Sequence, residues 1–239
     1  MTKKFDDKAR SDLQNQLFTY SFDSEWCKPK NMIIKEITVK EARGYIATYH
    51  YSKSMPDSTM FCFAWFYGEA LAWIIVYGMW AGKSQYKALL PNIKQWEYVE
   101  LTRLWSPDWM PKNTESKLIW WSLKLLPSKI KLVISFADPS KNHKWTIYQA
   151  TNFYYCGMTS WWKCLITKDW YTQHTRLIWI YKLRHPELKE KTTREIMDIY
   201  EWTYWKNYWK HRYVYLLWSK TNKKHNKKYL DKQIKIYPN

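Results

Sequence analysis

The sequence predicts an α/β fold, a mixed central sheet flanked by helices. Three observations predict it. Segments with a two-residue or continuous apolar pattern alternate with segments of helical periodicity. The run Lys131–Ala137 is apolar nearly throughout, as a strand covered on both faces must be. Between Glu97 and Gly157 the order is strand, helix, strand, short helix, with Asp138, His143 and Tyr148 gathered where the second strand ends.

Residues 1–31 are polar and mixed in charge, an N-terminal arm. Ile33–Val39 alternates as a strand. Lys40–Tyr49 reads as a helix with Thr38 as N-cap and Glu41 in its first turn. His50–Ser54 leaves the helix as a loop, and Pro56 keeps it irregular. Met60–Tyr67 and Ala70–Tyr77 are strands joined around Gly68-Glu69. A basic loop, Lys83–Lys94, leads to the strand Trp96–Trp105, and Pro107 and Pro111 punctuate the loop after that strand. Thr114 is expected to cap a helix over Glu115–Leu126, whose Leu118, Trp121, Leu125 and Leu126 share a face. After the strand Lys131–Ala137 come a short helix, Thr146–Phe153, and two expected strands, Trp161–Ile166 and Arg176–Lys182. About 184–210 reads as one or two helices rich in Trp, Tyr and Lys, an insertion. Arg212–Ser219 reads as a strand, and 220–239 as a basic tail. The catalytic domain is expected to span 32–219.

Charge narrows the partners. Lys and Arg total 39 against 21 Asp and Glu, a formal charge of +18, in 239 residues. Such an excess suits an anionic partner, nucleic acid above all. The 18 Trp and 20 Tyr interleaved with those cations suit unstacked bases, although many rings must be core. Cys27, Cys62, Cys156 and Cys164 form no CxxC pair, which argues against a zinc site. The charged N-terminus has no secretory apolar core, and no run is long and apolar enough to span a bilayer. The expectation is a reduced, cytoplasmic protein with no membrane partner.

Five residues carry chemistry worth weighing. His50 leaves a helix beside Tyr51, Ser52 and Lys53, where a neutral imidazole can act as base or metal ligand, or merely bond backbone. Asp138 ends a buried strand, where open α/β sheets bind ligands, yet an Asp before Pro139 is also an ordinary turn former. Tyr148 shares a helix face with Asn152 and can protonate a leaving group or sit satisfied in the core. Arg103 and Glu100 on a mostly buried strand must pair across the sheet or face a ligand. Ser116, flanked by Lys112 and Lys117 at a helix start, suits a phosphate cradle or a simple cap.

The layout from Glu97 to Gly157 resembles the Gcn5-related N-acetyltransferase fold. Its usual glycine-rich pyrophosphate loop is absent here: residues 111–117 read PKNTESK, which argues against a coenzyme A donor. A narrower resemblance rests on HYSKSMP at His50–Pro56, VELTRL at Val99–Leu104, NTESKL at Asn113–Leu118 and SFADPSKNHKWTIYQATNFYYCG at Ser135–Gly157. These motifs, in this order over roughly 33–183, resemble the Mom family of phage DNA-modification proteins. The resemblance implies conversion of DNA adenine to an N6-carbamoylmethyl derivative that evades host restriction, in the cytoplasm of the host cell. It implies site roles for His50, Arg103, Ser116, Asp138 and Tyr148, and for a further Tyr that is either Tyr67 or Tyr77. It implies an iron held by His50 and Asp138. Double-stranded DNA is the expected partner, with Lys53, Lys223, Lys224, Lys227 and Lys228 on its backbone, and Lys112, Ser116 and Lys117 on the donor. The donor itself and the oligomeric state, a homodimer included, stay open. Two other functions fit the same fold: an N-acyltransferase for a protein or small amine, and a non-catalytic DNA-binding protein.

Overall fold

A computed structural model of the chain describes residues 33–50, 52, 54–67, 70–79, 85–106, 113–139, 146–159, 162–168, 172–217 and 220–237. The expected arm at 1–31, Lys53, Lys112 and His143 lie outside them. The chain divides into two compact units. One comprises Met1–Ala137, His143–Gly157 and Arg212–Asn239, the other Asp138–Asn142 and Met158–His211.

The first unit opens with β1 (Ile33–Glu36), α1 (Val39–Tyr49), β2 (Thr59–Tyr67) and β3 (Ala70–Gly78). The cap at Thr38 is the expected one. Its hydroxyl accepts from the Glu41 N–H at 3.2 Å, and the Glu41 carboxylate accepts from the Thr38 N–H at 2.7 Å. A short helix α2 (Gln85–Leu89) and a 3₁₀ turn lead to β4 (Tyr98–Trp105), α3 (Thr114–Leu125), β5 (Leu132–Ala137), α4 (Thr146–Ala150) and β6 (Tyr154–Met158). After the second unit the chain returns in β10 (His211–Leu216) and α7 (Lys220–Asp231). The sheet order is β1-β2-β3-β4-β5-β10-β6. β1 to β4 pair antiparallel and β4 with β5 parallel, so the sheet is mixed as expected.

Odd-numbered residues of β3 (Trp73, Ile75, Tyr77) join the larger core with Leu118, Ile119 and Leu123 of α3. Even-numbered ones (Ile74, Val76) join Ala42 and Ile46 of α1. The strand is apolar on both faces because both are covered. Trp65 and Trp73, directly opposite across β2 and β3, stack at 4.0 Å between ring centroids.

The second unit holds β7 (Trp162–Ile166), β8 (Thr172–His174), α5 (Arg176–Arg184), α6 (Thr193–Ile199) and β9 (Thr203–Tyr208). Its sheet runs β8-β7-β9. Two expectations fail here. Arg176–Lys182, expected as a strand, is the helix α5. Its Leu177, Ile178 and Tyr181 pack at helical spacing on Ile196, Met197 and Trp202, and that burial outweighs β-propensity. The stretch 184–210 is not wholly helical, since β9 falls within it and pairs with β7.

The basic tail also proves to be structured. Residues 220–231 form α7, and Leu230 is fully buried against Tyr86, Cys156 and Val214. Beyond the helix, the Lys235 N–H donates to the Tyr155 carbonyl at 2.9 Å and the Tyr237 hydroxyl to that of Phe153. The lysines disguise an amphipathic helix whose inner stripe is short.

Candidate active site

The parallel pairing of β4 and β5 runs from Tyr98↔Leu132 to Leu101↔Ser135 and goes no further. β4 continues to Trp105 and β5 to Ala137. The two strands therefore fork at their carboxyl ends, where α/β sheets take their ligands.

At the base of the fork lies Ser135, fully buried. Its hydroxyl donates to the Tyr148 hydroxyl at 2.8 Å. Tyr148 is buried, and its ring stacks on Tyr213 with centroids 4.5 Å apart. Tyr77 is also buried, sharing a 2.7 Å hydrogen bond with Ser122 of α3. Burial drives the Tyr77 phenol far above its ordinary pKa; Ser122 opposes that shift and the nearby Tyr148 phenol adds to it. Of the two family tyrosines left open, the Tyr67 side chain lies outside the described residues.

Arg103 reaches the site through a bulge. β3 pairs Tyr77 with Leu101 but Val76 with Arg103, so Thr102 is an extra residue. Leu101 faces the α3 side with Tyr77, whereas Arg103 and Trp105 fall on the α1 side with Val76 and Ile74. Without the bulge all three β4 residues would face α3. Bulges re-aim side chains in this way, often beside functional sites.

On the α1 side the Trp105 ring stacks on Tyr49 at 4.9 Å, fastening the end of α1 to the end of β4. His50 is the C-cap of α1 and is buried. Its Nδ1 lies 2.8 Å from the Ser52 hydroxyl and accepts from the Ser52 N–H at 3.1 Å. The Ser52 hydroxyl is 3.2 Å from the Ser54 carbonyl, which also accepts from Arg103 Nε at 2.9 Å. A second Arg103 N–H donates to the Thr102 carbonyl at 2.7 Å. His50 and Arg103, 53 positions apart in number, are thus joined by one short relay. Gly78 helps seat this loop: a Cβ there would meet the Ser58 carbonyl oxygen at 2.9 Å.

The remaining expected residues lie on α3 and just past β5. Ser116 is buried in the first turn of α3, its hydroxyl donating to the Asn113 carbonyl at 2.9 Å. Asn113, not Thr114, is the N-cap, in a left-handed conformation with φ 68°. The Ser116 hydroxyl is committed to its own turn, so an anion there would meet main-chain N–H groups and Lys117, which is half-buried. Asp138 directly follows β5, is buried and belongs to the second unit. There the Cys164 thiol is raised chiefly by burial, with Asp138 adding to the shift. Sequence reasoning missed Ser52, Ser54 and Ser135; only Ser135 carried a signal, as the one hydroxyl within Leu132–Ala137.

The described residues do not fit iron held by His50 and Asp138. An imidazole that ligates through Nε2 carries its proton on Nδ1, and the Ser52 N–H aimed at Nδ1 opposes that form. Among the described residues no group of three or more His, Cys, Asp and Glu could hold an ion. Also among them, no helix is long and apolar enough to cross a membrane.

Comparison with known proteins decides the family. Residues 31–239 match the Mom protein family. The chain belongs to the Mom family. One curated Mom relative, the methylcarbamoylase of Escherichia phage Mu, is 30% identical over 131 residues. That match covers 54% of this chain and 54% of the relative, so it spans about half of each. Solved structures resembling this Mom protein include an N-acetyltransferase from Staphylococcus aureus Mu50, 13% identical with a TM-score of 0.42, covering 79% of this chain and 99% of that one. A GNAT family acetyltransferase from Elizabethkingia anophelis with acetyl-CoA bound is 10% identical with a TM-score of 0.39, covering 78% of this chain and 98% of that one. At those scores the likenesses carry no inference about activity.

Proposed function

We propose that this Mom-family protein is a transferase that modifies adenine in double-stranded DNA, placing a carbamoylmethyl group on N6 and so shielding phage DNA from restriction. Family membership supports the DNA-modifying class, and the name of the phage Mu relative supports transfer of a methylcarbamoyl-type group. The observation that carries the reading is the fork between β4 and β5, with the His50–Ser52–Ser54–Arg103 relay on one side of it and the Ser135–Tyr148 bond on the other.

The adenine N6 is unreactive within a stacked duplex, so the base must swing out. The N6 lone pair then attacks the methylene carbon of the donor, and the bond from that carbon to its leaving group breaks. Asp138 orients the amine and takes the N6 proton; Tyr148 donates to the departing group. Arg103 on the α1 side and, separately, Lys117 with the first turn of α3 meet anionic parts of the donor. The charge of +18 draws in the DNA backbone. On α7 the exposed Lys224, Lys227 and Lys228 supply phosphate contacts, and Lys223 is half-buried with its Nζ 4.9 Å over the Tyr215 ring.

The test is mass spectrometry of nucleosides from DNA of cells expressing the soluble protein. A new adenosine species of the carbamoylmethyl mass is expected. Unaltered adenosine alongside abundant protein would refute the reading, and tight DNA binding in that case would favour a non-catalytic binder.

A further inference from the structure

We infer that Ser52 is a positioning residue for His50, holding the imidazole with its proton on Nε2, so that His50 enters the reaction as a hydrogen-bond donor and not as a base. Two groups of Ser52 converge on Nδ1, the main-chain N–H at 3.1 Å and the hydroxyl at 2.8 Å. The hydroxyl can turn its single proton toward Nδ1 or toward the Ser54 carbonyl at 3.2 Å. The main-chain N–H has no such choice, because it can only donate. It decides the tautomer: Nδ1 accepts, and the ring proton sits on Nε2. A proton on Nδ1 would set two donors head to head at a buried position.

The same loop is held from its far end, since the Ser54 carbonyl accepts from Arg103 Nε at 2.9 Å. Arg103 therefore braces the turn that fixes His50. The chemical consequence rests on the proposed reading. An Nε2–H can polarise an acceptor on the donor molecule, and it leaves removal of the N6 proton to a carboxylate.

The test uses the full-length chain, labelled with ¹⁵N. Two-bond ¹H–¹⁵N correlation spectra distinguish the two neutral tautomers directly. The protein has 6 His, so His50→Gln identifies the His50 signals by their loss. The Nε2–H pattern is expected in the wild type and, because its N–H remains, in Ser52→Ala. The rate of DNA modification by Ser52→Ala should fall about 3- to 10-fold at saturating DNA, with the KM for DNA unchanged. An Nδ1–H pattern in the wild type or in Ser52→Ala overturns the inference. Failure of the underlying reading looks different: the wild type itself would then leave DNA adenine unmodified, while the tautomer measurement still stands.

Discussion

Ser135→Ala removes one hydroxyl from the base of the fork. The group it abandons is the Tyr148 hydroxyl, 2.8 Å away and buried. Losing the donor to a buried hydroxyl costs about 1–2 kcal/mol, and at roughly 2–4 °C per kcal/mol for a chain of this size the melting temperature falls measurably. Tyr148→Phe should cost less through this bond. Ser135, left without Tyr148, still has the Leu101 carbonyl at 3.5 Å toward which its proton can turn. In the double variant neither hydroxyl strands the other, so it should be about 1 kcal/mol more stable than the sum of the single losses predicts. Urea unfolding of the four proteins measures this coupling. Losses that add to within about 0.3 kcal/mol would refute the assigned bond and the geometry of the fork built on it.

Three further outcomes are expected. Burial depresses the His211 pKa below 6.5, so the unfolded chain binds that proton first. Stability from this residue is present above about pH 6.5 and is lost as pH falls toward the folded value; urea midpoints of His211→Gln should fall less steeply between pH 7.5 and 5.5. Burial raises the Cys62 and Cys156 thiols to about 11, with Glu36 adding at Cys62 and Arg212 opposing at Cys156. At neutral pH both should react with iodoacetamide roughly a hundredfold more slowly than an unfolded-chain thiol, as peptide mass spectrometry reads it; equal rates would contradict their burial. Replacing Lys224, Lys227 and Lys228 with Gln should flatten the salt dependence of DNA affinity by about 2–3 in the log–log slope. This replacement is a cleaner test than deleting the C-terminus, because Leu230 and Tyr237 anchor that segment to the first unit.

Local patterns made much of the fold legible. Thr38 and Glu41 announce α1, the Gly68-Glu69 break announces the β2–β3 hairpin, and the apolar run ending at Ala137 announces a central strand. The failures share a cause. Arg176–Lys182 holds a continuous apolar run, Leu177–Tyr181, that reads like a strand, yet its burial is decided by Ile196, Met197 and Trp202, which come later in the chain. The tail has a mean composition that hides Leu230. At the site, motif order singles out His50 and Arg103, but their connection depends on the bulge at Thr102, and no two-residue pattern shows a bulge. Strict alternation would have put Arg103 with Leu101, facing α3. Ser52 and Ser54 stood inside the HYSKSMP motif without a role, because hydrogen bonding to a ring nitrogen two residues back is set by loop geometry alone.

The central claim is that His50 and Arg103, joined by one relay at the fork, serve adenine modification. The measurement that tests it most directly is the fraction of adenine modified in DNA from cells expressing wild type, His50→Gln or Arg103→Gln at matched soluble levels. The account predicts a modified nucleoside with the wild type and a loss of about 100-fold or more with His50→Gln, the scale of a lost, preorganised hydrogen-bond donor, with Arg103→Gln strongly reduced as well. Wild-type levels of modification in both variants would contradict it.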